Sequence, residues 1–67
     1  MATVTKKIEN SDGITWFEID GTDIGTDWEF NNEIVGVTDC GKILDCDGCP
    51  CTVGDRLHTA ITNALNI

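Results

Sequence analysis

Tyrosine is missing from this sequence, proline and histidine occur once each, and only Lys6, Lys7, Lys42 and Arg56 carry positive charge against twelve carboxylates. Each scarcity excludes something. A formal charge of −8 repels phosphates and anionic headgroups, and there is no basic stripe interleaved with aromatics, so direct nucleic-acid binding is not expected. One histidine, His58, and no Gly-x-Ser-x-Gly elbow leave no Ser/His/Asp arrangement to argue for. The seven glycines are scattered among the turns and form no phosphate-cradling loop. No apolar run approaches the ~20 residues a membrane span needs. Lys6 and Lys7 are followed by no apolar core of a signal peptide, so synthesis in the cytoplasm is the expectation.

What remains is the size and pattern of one small domain, 1–67, with 40% hydrophobic residues. A chain this short buries only ~60% of its unfolded surface and often leans on a disulfide, a metal or a partner. The aromatics Trp16, Phe17, Trp28 and Phe30 all lie in the first half, which places the core there. Residues 1–44 read as β-rich. Ala2, Val4 and Ile8 alternate with polar neighbours, and Asn10-Ser11-Asp12-Gly13 is turn chemistry. Ile14 to Ile19 carries apolar residues on both faces, the mark of a central strand, and pairs with the first as a hairpin. Trp28 and Phe30 alternate with polar residues as a further strand. Asn31-Asn32 is read as a turn, and Glu33–Thr38 as the next strand, with Gly36 a bulge or close-packing point. Lys42-Ile43-Leu44 is a short edge strand. The tripeptide Gly-Thr-Asp at 21–23 recurs at 25–27, too little for a repeat architecture.

The last quarter changes period. Val53, Leu57, Ala60, Ile61, Ala64 and Leu65 recur at three- and four-residue spacing, one stripe of an amphipathic helix over 53–65. Thr52 with Asp55 fits a loose capping box, and Asn66 suits the C-terminal cap. The expected class is therefore α+β: a small antiparallel β-meander of about four strands with a C-terminal helix packed on the sheet.

Between strand and helix, in the loop 39–52, lie all four cysteines, Cys40, Cys46, Cys49 and Cys51, spaced C-x5-C-x2-C-x-C. Four thiolates can hold a tetrahedral zinc, and Cys46-Asp47-Gly48-Cys49 has the spacing of a zinc knuckle, although Cys49-Pro50-Cys51 overlaps it. The neighbouring Asp39, Asp45 and Asp47 disfavour thiolates. Two disulfides are the alternative, as Cys40–Cys51 with Cys46–Cys49 or as Cys40–Cys49 with Cys46–Cys51. Unlinked thiols acting as small hydrophobes are the plainest reading. Cys40, Gly41, Cys46 and Cys49 resemble the cluster-binding loop of vertebrate-type [2Fe–2S] ferredoxins over roughly ten residues. That resemblance implies a fourth ligand several tens of residues further on, whereas no cysteine follows Cys51. A thioredoxin-like reading of Cys46 and Cys49 lacks the βαβ context it requires.

Asp20, Asp23, Asp27 and Glu29 lie close in sequence, but a pair of catalytic carboxylates needs a cleft to raise one pKa. The pattern also departs from a calcium-binding loop, so these are expected to be solvated turn residues. His58, at the edge of the helix stripe, is expected to be an ordinary boundary residue rather than a ligand. The functional expectation is a non-catalytic interaction protein whose partner is a larger protein assembly, with homo-oligomers also in range. A viral or phage accessory such as a capsid cement or tail component in the virion matches it by size and class. The competing expectations are an acidic mimic of nucleic acid that inhibits a basic groove, and a zinc module built on the four cysteines.

Overall fold

The turn at Asp12-Gly13 starts the sheet. Both residues have left-handed backbones, φ 53° and 78°, which a two-residue hairpin of the I′ type requires and which Asp and Gly tolerate best. The turn joins β1 (Thr3–Ser11) to β2 (Ile14–Thr22) in a computed structural model that describes residues 1–66, the side chains of Glu9 and Ser11 excepted. β3 (Glu29–Thr38) and the two-residue β4 (Ile43–Leu44) follow, and the helix α1 (Asp55–Leu65) closes the order. The sheet runs β1-β2-β3-β4, every pair antiparallel, so the expected α+β meander with its helix is the observed fold.

β2 is central, and its two faces differ. Thr15, Phe17 and Ile19 are buried and point to the helix side, while Ile14, Trp16 and Glu18 are half-buried on the other. Register carries the first set across the sheet, Thr15 to Val37 and then Ile43, Phe17 to Val35. With Ala2, Ile19, Phe30 and Val53, these side chains meet Leu57 and Ile61 of α1 in one core. Full burial of a Phe, Ile or Leu side chain is worth ~1.5–3 kcal/mol, so this cluster is the main source of stability.

Three details differ from the sequence reading. Asn31-Asn32 is no turn. Ile19 pairs with Glu33 and Gly21 with Phe30, so two asparagines of β3 stand against Asp20 alone. This is a β-bulge, with Asn32 at φ 55°, and the two expected strands are one continuous strand bent at that point. Trp28 lies just before β3 and stacks on Phe30, ring centroids 4.4 Å apart at 27°. The helix begins at Asp55 rather than at 53, with Gly54 as its N-cap and no side-chain capping bond. Thr52 is exposed outside the helix, because Val53 is drawn into the core and the N–H of Gly54 is bound elsewhere. Gly36 is a close-packing point and not a bulge: a Cβ there would lie 2.8 Å from Ile14 and 2.9 Å from the Trp16 ring.

Candidate functional site

The cysteine loop grows out of the β3–β4 connection. The Thr38 N–H donates to the Lys42 carbonyl at 2.9 Å, and the Lys42 N–H donates to Thr38 Oγ1 at 3.0 Å. That hydroxyl lies 3.2 Å from Cys40 Sγ. The Thr38 hydroxyl first, and then the Lys42 backbone, hold the exposed Cys40 thiol below its ordinary pKa.

Past β4 the chain turns back on itself. The Asp45 N–H donates to the Cys49 carbonyl at 2.8 Å and the Cys51 N–H to the Ile43 carbonyl at 3.0 Å, while Leu44 bridges to Pro50. Inside this small hairpin Asp45 Oδ1 accepts the N–H groups of Asp47 and Cys49, both at 2.9 Å. A carboxylate thus organises the Cys46–Cys49 turn from within. Cys46 and Cys49 are exposed, whereas Cys51 is half-buried against the core. Burial, and secondarily the charge of Asp45, push the Cys51 thiol up. All four thiols are free, and among the described residues no three His, Cys, Asp or Glu side chains are grouped to hold a metal ion. The loop brings the cysteines into one neighbourhood without converging them on a point. His58 is exposed, its N–H donating to Gly54 and its carbonyl accepting the Thr62 hydroxyl at 2.9 Å.

Asp23 departs most from expectation. Read as a solvated turn residue, it is 2% exposed. Its Oδ2 accepts the Thr26 hydroxyl at 2.7 Å and the Gly54 N–H at 2.8 Å, and Oδ1 accepts the Gly25 N–H at 3.3 Å. Burial raises the pKa of this carboxyl, but the bonds from Thr26, Gly54 and Gly25 together outweigh it and hold the group below the ordinary carboxylate range. Asp23 therefore ties down Gly54, the residue that opens α1, from a loop 31 residues away, and places a negative charge near the helix end where it is favoured. The signal lay in the two glycines. A Cβ on Gly25 would sit 2.5 Å from the Gly54 backbone, so only glycine lets these chains meet. Asp20, Asp27 and Glu29 are exposed, as expected, but only Asp27 lies in the loop; Asp20 is in β2 and Glu29 begins β3.

The outer face of the sheet, opposite α1, is the larger surface feature. Register aligns Ile8, Trp16, Gly36 and Leu44 in one row, flanked by Lys6, Glu18 and Ile34 in the next and by Ile14 with Thr38 beyond. Ile8, Ile14, Trp16 and Ile34 are all partly buried, and none of them packs against the core cluster. The acids are divided between faces, Glu18 on this one and Glu33 on the helix side. No helix among the described residues is long and apolar enough to cross a membrane. No protein-family profile matches the chain, and neither a curated protein nor a solved structure is significantly similar to it.

Proposed function

We propose that the protein is a non-catalytic interaction module that docks on a larger protein assembly through the outer face of its sheet. One observation carries the reading. The helix covers one face of the sheet, while Ile8, Ile14, Trp16 and Ile34 form an apolar patch, only partly buried, on the other. A sheet of this size is stable with one face wet, so apolar side chains on the wet face serve contact rather than folding. A capsid cement or tail component is the kind of accessory this describes, an assignment made on size and class. The test is the native size of the protein in lysates or particles from its source, compared with Ile34→Lys. Migration with a high-mass assembly, lost in the variant while its circular dichroism is unchanged, supports the reading. A free monomer in both cases removes it.

A further inference from the structure

β1 ends the sheet order, so its outer edge has no strand partner among the described residues. Beside that edge runs a groove of about 480 Å³, lined on one wall by the stretch from Met1 to Lys7 and on the other by Ala60, Asn63 and Ala64 of α1. The second wall is one helix face, at i, i+3 and i+4, and its two alanines keep it low. A free strand edge offers a row of unpaired N–H and C=O groups. A helix standing beside that edge supplies a wall for alternate side chains of an added strand.

We propose that this groove accepts a short, extended, acidic–apolar segment of a partner protein, which adds to β1 as a fifth strand and turns alternate side chains toward α1. The inference rests on the interaction reading above and adds a second surface to it. The charge of the occupant follows from the walls. Lys6 and Lys7 line the groove, and Arg56 lines its continuation past Met1, where Asp55 is the one carboxylate. Three of the four basic residues of a chain of charge −8 are thus gathered here. Lys6 stands opposite Glu18 on the outer face, which leaves Lys7 and Arg56 to set the preference. Lys7 Nζ lies 3.5 Å from the Leu65 carbonyl at an exposed position, a long contact that leaves its charge available to a ligand.

A second copy of the chain is a poorer occupant. Antiparallel pairing of β1 with itself about Lys6 and Lys7 would set the lysines of two copies against each other, and like charges across a strand pair are destabilising. β1 is also bulged, at Thr5 and again between Ile8 and Ser11. Such bends discourage long edge-to-edge pairing. A segment of about five residues alongside Thr3–Lys7 is short enough to follow them.

The test uses two blocked hexapeptides, one alternating valine with glutamate and one alternating valine with lysine, titrated into the ¹⁵N-labelled full chain. Binding of the glutamate peptide is expected to shift the amides of Thr3–Lys7 and Ala60–Ala64, about fivefold more tightly than the lysine peptide. Asn63→Trp, an exposed position whose new side chain would fill the groove, should abolish those shifts with the melting temperature retained. Equal affinity for both peptides overturns the proposal, as does the absence of shifts at millimolar peptide. Concentration-dependent broadening of β1 without peptide would make a second copy the occupant and overturn it as well. If peptide binding fails while Ile34→Lys still abolishes docking, only the groove is lost. If both fail, the interaction reading falls with it.

Discussion

At Asp23, burial and hydrogen bonding act in opposite directions on one carboxyl group, and the bonds prevail. A carboxyl whose folded pKa lies below its unfolded value of ~3.9 contributes stability that is full above that value. The contribution is lost as pH falls through the folded pKa. Urea titrations should therefore find the protein losing stability below about pH 4, with a shallower loss in Asp23→Asn. Asp23→Ala leaves the N–H groups of Gly25 and Gly54 without their acceptor, which should cost about 3 kcal/mol, a large share of what so small a domain has. An unchanged urea midpoint would mean that the clasp contributes nothing. Gly54→Ala should be comparably harmful, because its Cβ would fall 2.5 Å from Asp23 Oδ1 and 2.8 Å from the Gly25 backbone. The cysteines separate at this scale too. Iodoacetamide at neutral pH, followed by peptide mapping, should modify Cys40 before Cys51, since one thiol is acidified by Thr38 and the other is raised by burial. Equal rates would contradict the placement of both.

Among the elements, the first hairpin, the central strand and the helix stripe were legible, because each rests on a local signal. Asp12-Gly13 specifies its own turn, the apolar residues of Ile14–Ile19 fall on both faces, and Leu57, Ala60, Ile61 and Ala64 repeat at helical spacing. Asn31-Asn32 was misleading, since asparagine serves a left-handed residue equally in a turn and in a bulge. Only the pairing partner decides, and that partner, Asp20, is contributed by another strand. The start of α1 was illegible for the same reason: Thr52 is near in sequence, whereas the bond from Gly54 to Asp23 is made only through the tertiary fold. The bulge makes a clean prediction. Asn32 holds φ 55°, so Asn32→Gly should be close to neutral and Asn32→Val should cost ~1–2 kcal/mol. Matching urea midpoints for the two would show that β3 can relax the bulge away.

For the whole molecule the question is whether the cysteine loop staples the fold. A chain of this length often needs a metal or disulfides when its core is small. Here Phe17, Ile19, Phe30, Val35, Leu57 and Ile61 are almost wholly buried, and α1 is tied to the loop before β3 by Asp23. The Cys46–Cys49 turn is held by Asp45, whose carboxylate accepts two backbone N–H groups inside it. In a fold that depended on metal, folding and metal affinity would be coupled, whereas here the core and this turn are held by contacts of the chain itself. The stability of this chain should accordingly be independent of metal. Melting the freshly purified protein before and after treatment with a strong chelator, both times with reductant present, should give temperatures within about 1 °C of each other. A fall of more than about 5 °C corresponds to roughly 1 kcal/mol in a domain of this size and would assign the four thiols a bound ion that supports the fold. Native mass spectrometry of the same sample would then have to find that ion and lose it on chelation. Without such a fall, the hydrophobic core and the Asp23 clasp hold the fold together, and Cys40, Cys46 and Cys49 remain surface thiols.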